Sequence, residues 1–184
     1  MFNKNEDGLV PVRKVMIVVD NHRDLGILVN GLLKYCPTVE IYTAGDTYGE
    51  VKAVIPRHSR FLPIRFDIND YKTINPDLAV INLKPFPDDK PFPDDSELSP
   101  EDVMKGIDSD RLHLMTLMAK RFDQTLTIVD PDDYEGLIIK LMTDGGHKYM
   151  GRFLAAQGAF NTINEYNSKI IKYLGEKFNQ LIPD

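Results

Sequence analysis

The chain has 184 residues, 42% of them hydrophobic, with 28 acidic against 22 basic side chains and a net charge of −6. That is ordinary for a soluble globular protein with one core, and the acidic balance, with no Lys/Arg-rich run, argues against nucleic acid or an anionic membrane as partner. A lone Cys36 excludes an intrachain disulfide and a cysteine-based metal cluster, the first residues hold no apolar signal core and no stretch is long enough to span a bilayer, so a cytoplasmic protein with no metal is expected.

Residues 1–13 read as a loose N-terminal segment and 14–184 as one domain. Val15 to Val19 is a β-branched apolar run, hence a buried strand ending at Asp20. Leu25, Leu28, Val29, Leu32 and Leu33 recur at helical spacing, and Pro37 stops that helix. Val39 to Thr43 predicts a second strand, followed by the Gly-bearing turn AGDTYG. Strand, helix, strand in this rhythm predicts a parallel sheet. Residues 57–72 read mainly as loop, with a short strand near Ser59–Leu62.

Pro76 to Phe86, PDLAVINLKPF, supplies the central strand: six near-continuous apolar residues bounded by prolines. Ligands of open α/β sheets bind beyond the carboxyl ends of such strands, where Asn82 and Lys84 stand. The structural alternative is an Asn82 that satisfies backbone groups and a Lys84 that is solvated. The tandem PFPDDKPFPDD, Pro85–Asp89 repeated as Pro91–Asp95, reads as an exposed acidic connector. A short helix is expected at Pro100–Lys105 and a longer one over Asp108–Phe122, with Leu112, Met115 and Ala119 on one side. Leu126–Val129 is a third strand. Asp130-Pro131-Asp132-Asp133 then starts a helix whose buried stripe is Tyr134, Leu137, Ile138 and Leu141, closed by Gly145-Gly146. From Lys148 to Phe178 runs one long helical pattern, and its stripe Ala156, Ala159, Ile163, Tyr166, Ile170, Tyr173 needs a partner surface, in this domain or in a second subunit.

PDLAVINLKPF, LTIVDPDDYEGLI and RFLAAQGAFNTINEYNSKIIKYL, in that order and spacing, resemble the IMP cyclohydrolase domain of the bifunctional purine biosynthesis protein over roughly residues 14–175. The resemblance implies an α/β, doubly wound parallel sheet like that of methylglyoxal synthase, with a long C-terminal helix. It also implies a homodimer and closure of a formamido-imidazole carboxamide ribotide to IMP with loss of water, without cofactor. The family's transformylase domain has no counterpart within these 184 residues.

Site residues follow from matched motif positions. The phosphate loop keeps only Asp20 within Val18–Arg23, so Arg23 is a candidate phosphate contact; Gly45 and Thr47 match the next loop, where Asp46 is an intruding acid. Arg57 aligns with a substrate-binding arginine, and Ser59 replaces the neighbouring lysine. Asn82 matches a substrate-contacting asparagine, and Lys84 replaces a tyrosine. Asp108 and Lys120 keep the acid and lysine of the following helix. Lys84 and Lys120 would donate to the oxyanion, and Asp108 would orient or accept. Asp108 before Ser109 is equally a helix N-cap, and Lys120 a dipole match at a helix end. The lost phosphate-loop residues favour a second reading, a catalytically impaired homologue that binds a nucleotide or a protein. A third is a methylglyoxal synthase-like phosphate-binding or regulatory domain.

Overall fold

The computed structural model describes residues 8–57, 59, 61–87 and 99–181. His58, Arg60 and the acidic tandem from Asp88 onward lie outside them. Five parallel strands, β1 (Lys14–Val18), β2 (Glu40–Thr43), β3 (Ile64–Arg65), β4 (Leu78–Ile81) and β5 (Leu126–Ile128), form one sheet in the order β3-β2-β1-β4-β5. The strand order reverses between β1 and β4, whose register pairs Val15 with Leu78 and Val18 with Ile81. The helices are α1 (Leu25–Tyr35), α2 (Thr47–Val54), α3 (Pro100–Lys105), α4 (Ser109–Lys120), α5 (Tyr134–Asp144) and α6 (Tyr149–Leu181).

The sheet is covered on both faces, which is why its strands read as continuous apolar runs. Alternate side chains part to opposite sides. Val15, Ile17, Leu78, Val80, Leu126 and Ile128 join α1 and α5 in one core. Met16, Val18, Ala79 and Ile81 meet Leu114, Met115, Met118, Ala119, Ala156 and Ala159 of α4 and α6 in the other. The doubly wound sheet and the long last helix are therefore as the sequence predicts. Asp130 caps the segment before α5 by accepting from Asp132 N at 2.9 Å, and Gly145 ends α5 at φ 73°. At that positive φ a side chain would be strained.

Three local expectations change. The turn after β2 continues into α2, with Val51 buried against α1. The third strand is at Ile64–Arg65 instead of Ser59–Leu62, and residues 68–73 form a 3-10 helix, whose propensity signal is weak. Phe86 of the tandem belongs to a third core: it lies edge-on between Tyr166 and Tyr173 of α6, at ring distances of 6.0 and 5.9 Å. The Ala156–Tyr173 stripe is buried within the chain, against α4 and this Phe86 cluster, so it calls for no second subunit.

At the amino edge of the sheet Arg152 ties four segments together. Its guanidinium donates to the carbonyls of Phe122 (2.8 Å), Gly8 (2.8 Å), His147 (2.9 Å) and Asp123 (3.1 Å).

Candidate functional site

The carboxyl edge of the sheet, at the reversal between β1 and β4, is where ligands of this architecture bind. Asn82 follows β4 there. Its Oδ1 accepts from Asp20 N (2.7 Å) and Asn21 N (2.9 Å), and its Nδ2 donates to Asn21 O (3.1 Å). The side chain is thus a strap that holds the loop after β1 against the end of β4. Beneath it lies Tyr134, whose phenol burial pushes up to about 12, so it is neutral at physiological pH.

Thr47, the first residue of α2, is equally engaged. Its hydroxyl donates to Val19 O (3.0 Å) and accepts from Val19 N (3.1 Å), and the residue is fully buried. Gly45 is exposed at φ +56° with open space around it, so the backbone there is accessible. Beside it, His22 Nδ1 lies 3.9 Å from Glu50 Oε2. Arg23 reaches across to the loop after β5, where its Nη2 donates to Asp132 Oδ1 and stands 3.5 Å from Asp130 Oδ1; its Nε is 3.8 Å from Asp24. A phosphate at Arg23 would compete with these carboxylates. Asp133, next in that loop, is pushed above the usual carboxylate range by burial first and by Asp130 and Asp132 second.

The second half of the site hangs on Asp108. It stands at the N-cap position of α4 but makes no capping bond. Its Oδ2 instead accepts from Lys84 N (2.9 Å) and from Arg111 Nη1 (2.9 Å), and its own N–H donates to the Tyr166 hydroxyl (3.3 Å). Arg111 Nη2 also points at Val19 O, 3.5 Å away, and its buried Nε has no acceptor among the described residues. One carboxylate therefore fixes the chain after β4, a buried guanidinium and the long helix. The Lys84 backbone is held while its side chain is exposed, without an ion pair to any described residue.

The candidates accordingly divide. Asn82, Lys84, Asp108, Arg23, Gly45 and Thr47 meet at the carboxyl edge. Lys120 does not: it ends α4, about 18 Å along the helix from Asp108, next to Arg121, whose side chain bonds Asn75 before β4 begins. Arg57 lies exposed beyond the far end of α2. Sequence reasoning missed Arg111 and Tyr166. The i, i+3 spacing of Asp108 and Arg111 was the available signal for the first. Tyr166 is 58 residues from Asp108, and nothing local announces that contact. Among the described residues no cluster of three or more His, Cys, Asp or Glu side chains could hold a metal ion, and no helix is long and apolar enough to cross a membrane.

The family model described as AICARFT/IMPCHase bienzyme matches residues 118–183. The bifunctional purine biosynthesis protein PurH of Caldicellulosiruptor saccharolyticus is 28% identical over 92% of this chain and 35% of its own length. That of Thermoanaerobacter sp. (strain X514) is 30% identical over 74% of the chain and 28% of its own length. The chain is a divergent relative of the AICARFT/IMPCHase bienzymes. It spans about a third of the length of the curated relatives it matches. The crystal structure of ForH has the same fold, with a TM-score of 0.65 at 17% identity, covering 87% of this chain and 97% of that one.

Proposed function

We propose that the chain carries an IMP cyclohydrolase-like function of purine nucleotide biosynthesis, closing a formamido-imidazole carboxamide ribotide to IMP. The carboxamide nitrogen attacks the formyl carbon and gives up one proton, the formyl oxygen gains negative charge and then a proton, and the resulting hydroxyl leaves as water while the former formamido nitrogen loses its proton and forms the ring C=N bond. Because the reaction is intramolecular, holding the reacting conformer supplies much of the acceleration. The observation that carries the reading is the exposed Lys84 side chain, which has no ion pair with a described residue and whose backbone N–H is held by the buried Asp108–Arg111 pair, at the reversal point of the sheet. Lys84 donates to the developing oxyanion, while Asp108 acts as a positioning group, holding the Lys84 backbone. Asn82 fixes the loop after β1 against the end of β4, and the exposed backbone at Gly45 is the free donor surface for the ribotide. Lys120 would take part only if supplied from another copy.

A second reading, a catalytically impaired relative that binds a purine ribotide or IMP, is favoured by one specific observation: Thr47, Asn82 and Arg23 are all satisfied internally. Incubating the purified protein with the formylated ribotide and following IMP, alongside calorimetric titration with IMP, separates the two. Turnover sustains the first reading, binding without turnover the second, and neither result leaves either standing.

A further inference from the structure

The fold leaves part of the Asp108–Arg111 pair unspent. A guanidinium carries five N–H donors. Arg111 gives one to Asp108 Oδ2 at 2.9 Å and offers another to Val19 O at 3.5 Å, the outer limit of such a bond. Its Nε finds no acceptor among the described residues. Asp108 is lopsided in the same way. Its Oδ2 takes both Arg111 Nη1 and the Lys84 N–H, while its Oδ1 receives no hydrogen bond from a described residue. Neither side chain is wholly enclosed, and both stand at the carboxyl edge of the sheet. Buried polar groups are nearly always paired, so donors and an acceptor left over side by side call for a partner.

Charge decides what kind of partner. A lone arginine suits a phosphate, but this one has a carboxylate 2.9 Å away, so the pair is neutral as a unit and an anion would meet Asp108. A donor beside an acceptor fits a neutral group that carries one of each, and an amide is such a group. We propose that Arg111, together with Asp108, recognises the amide of the ligand: Arg111 donates to its carbonyl oxygen and Asp108 Oδ1 accepts from its N–H. The inference rests on the reading of the chain as one that takes a purine-precursor ribotide, and it names the part of that ligand the pair selects. The carboxamide of the ribotide and the lactam it becomes in IMP both present C=O next to N–H, so the same two side chains follow the ligand through ring closure. Lys84 stays available for the formyl oxygen, on the other side of the attacking nitrogen. A carboxylate in place of the amide lacks the N–H and is repelled by Asp108. Arg111 is thus a specificity-determining residue. Its planar fork serves Asp108 and the ligand with separate N–H groups at fixed angles, which an ammonium does not.

Calorimetric titration tests this without turnover, using three ligands: an amino-imidazole carboxamide ribotide, the same ribotide with a carboxylate in place of the carboxamide, and IMP. The wild type should bind the carboxamide and IMP roughly a hundredfold more tightly than the carboxylate. Arg111→Lys keeps a cation beside Asp108. It should lose roughly tenfold on the carboxamide and on IMP while the carboxylate is unchanged, so the ratio narrows. An arginine that only supports the fold would weaken all three alike. That outcome, or a wild type that binds the carboxylate as well as the carboxamide, overturns the proposal and leaves the functional reading in place. A wild type that binds none of the three overturns both. The wild-type comparison is decisive by itself should the lysine variant fail to fold.

Discussion

Arg111 and Asp108 form an ion pair of 2.9 Å whose side chains are only 13% and 8% exposed. Removing the cation leaves a buried carboxylate whose remaining partner is the Lys84 N–H. Arg111→Met is therefore expected to lower the unfolding free energy by about 3 kcal/mol, the lower end for breaking a buried pair. Asp108→Asn, which keeps an acceptor for Lys84 N, should cost less. Urea titrations of both variants check the order; equal losses would show that the charge is immaterial.

Lys84→Met should reduce IMP formation roughly a hundredfold, since one oxyanion donor contributes about 2–4 kcal/mol to the transition state. The thermal midpoint should not move, because the ammonium makes no hydrogen bond or ion pair with a described residue. Lys84→Tyr, which installs the residue of the resembling motif, should keep part of the activity.

Asp132→Asn should release Arg23 from its strongest carboxylate partner. Affinity for IMP is then expected to rise several-fold in calorimetric titration at low salt, and Arg23→Met should abolish the gain. No change on Asp132→Asn would place the phosphate elsewhere.

His147 is buried next to the Arg152 guanidinium, and burial first and that charge second push its pKa down to about 4. Below pH 6.5 the unfolded chain takes up a proton there that the folded chain refuses, so the unfolded state binds more protons and stability falls on acidification from 6.5 to 4. The full effect is roughly 3 kcal/mol. His147→Gln should flatten this part of the stability–pH curve, measured by urea unfolding at each pH.

Phe86→Ala should empty the space between Tyr166 and Tyr173 and cost about 3–5 kcal/mol, roughly ten degrees in the thermal midpoint. An unchanged midpoint would mean that the segment after β4 is a connector, as its prolines and acids suggest.

The sequence by itself determined the sheet and its cover. Apolar runs at Val15, Ile41, Leu78 and Leu126 lie between helical stripes, and period and run length depend only on neighbours along the chain. The motif at Asp130 likewise carries its own cap, and Gly145 its own stop. What the tertiary structure decided was how the polar groups are used. Thr47 and Asn82 read as ligand contacts because their types and positions allow it. Their hydrogen-bond capacity is taken up by Val19, Asp20 and Asn21, residues 28 and about 60 positions away. Asp108 reads as a cap, yet the nearest unsatisfied donors, Lys84 N and the Arg111 guanidinium, arrive from the end of β4 and the next turn of α4. Phe86 looks like loop by composition and is core by position, because α6 passes over it. Desolvation acts on whatever the fold brings together, so the allotment of a few donors and acceptors among buried partners becomes fixed only once distant segments are in contact.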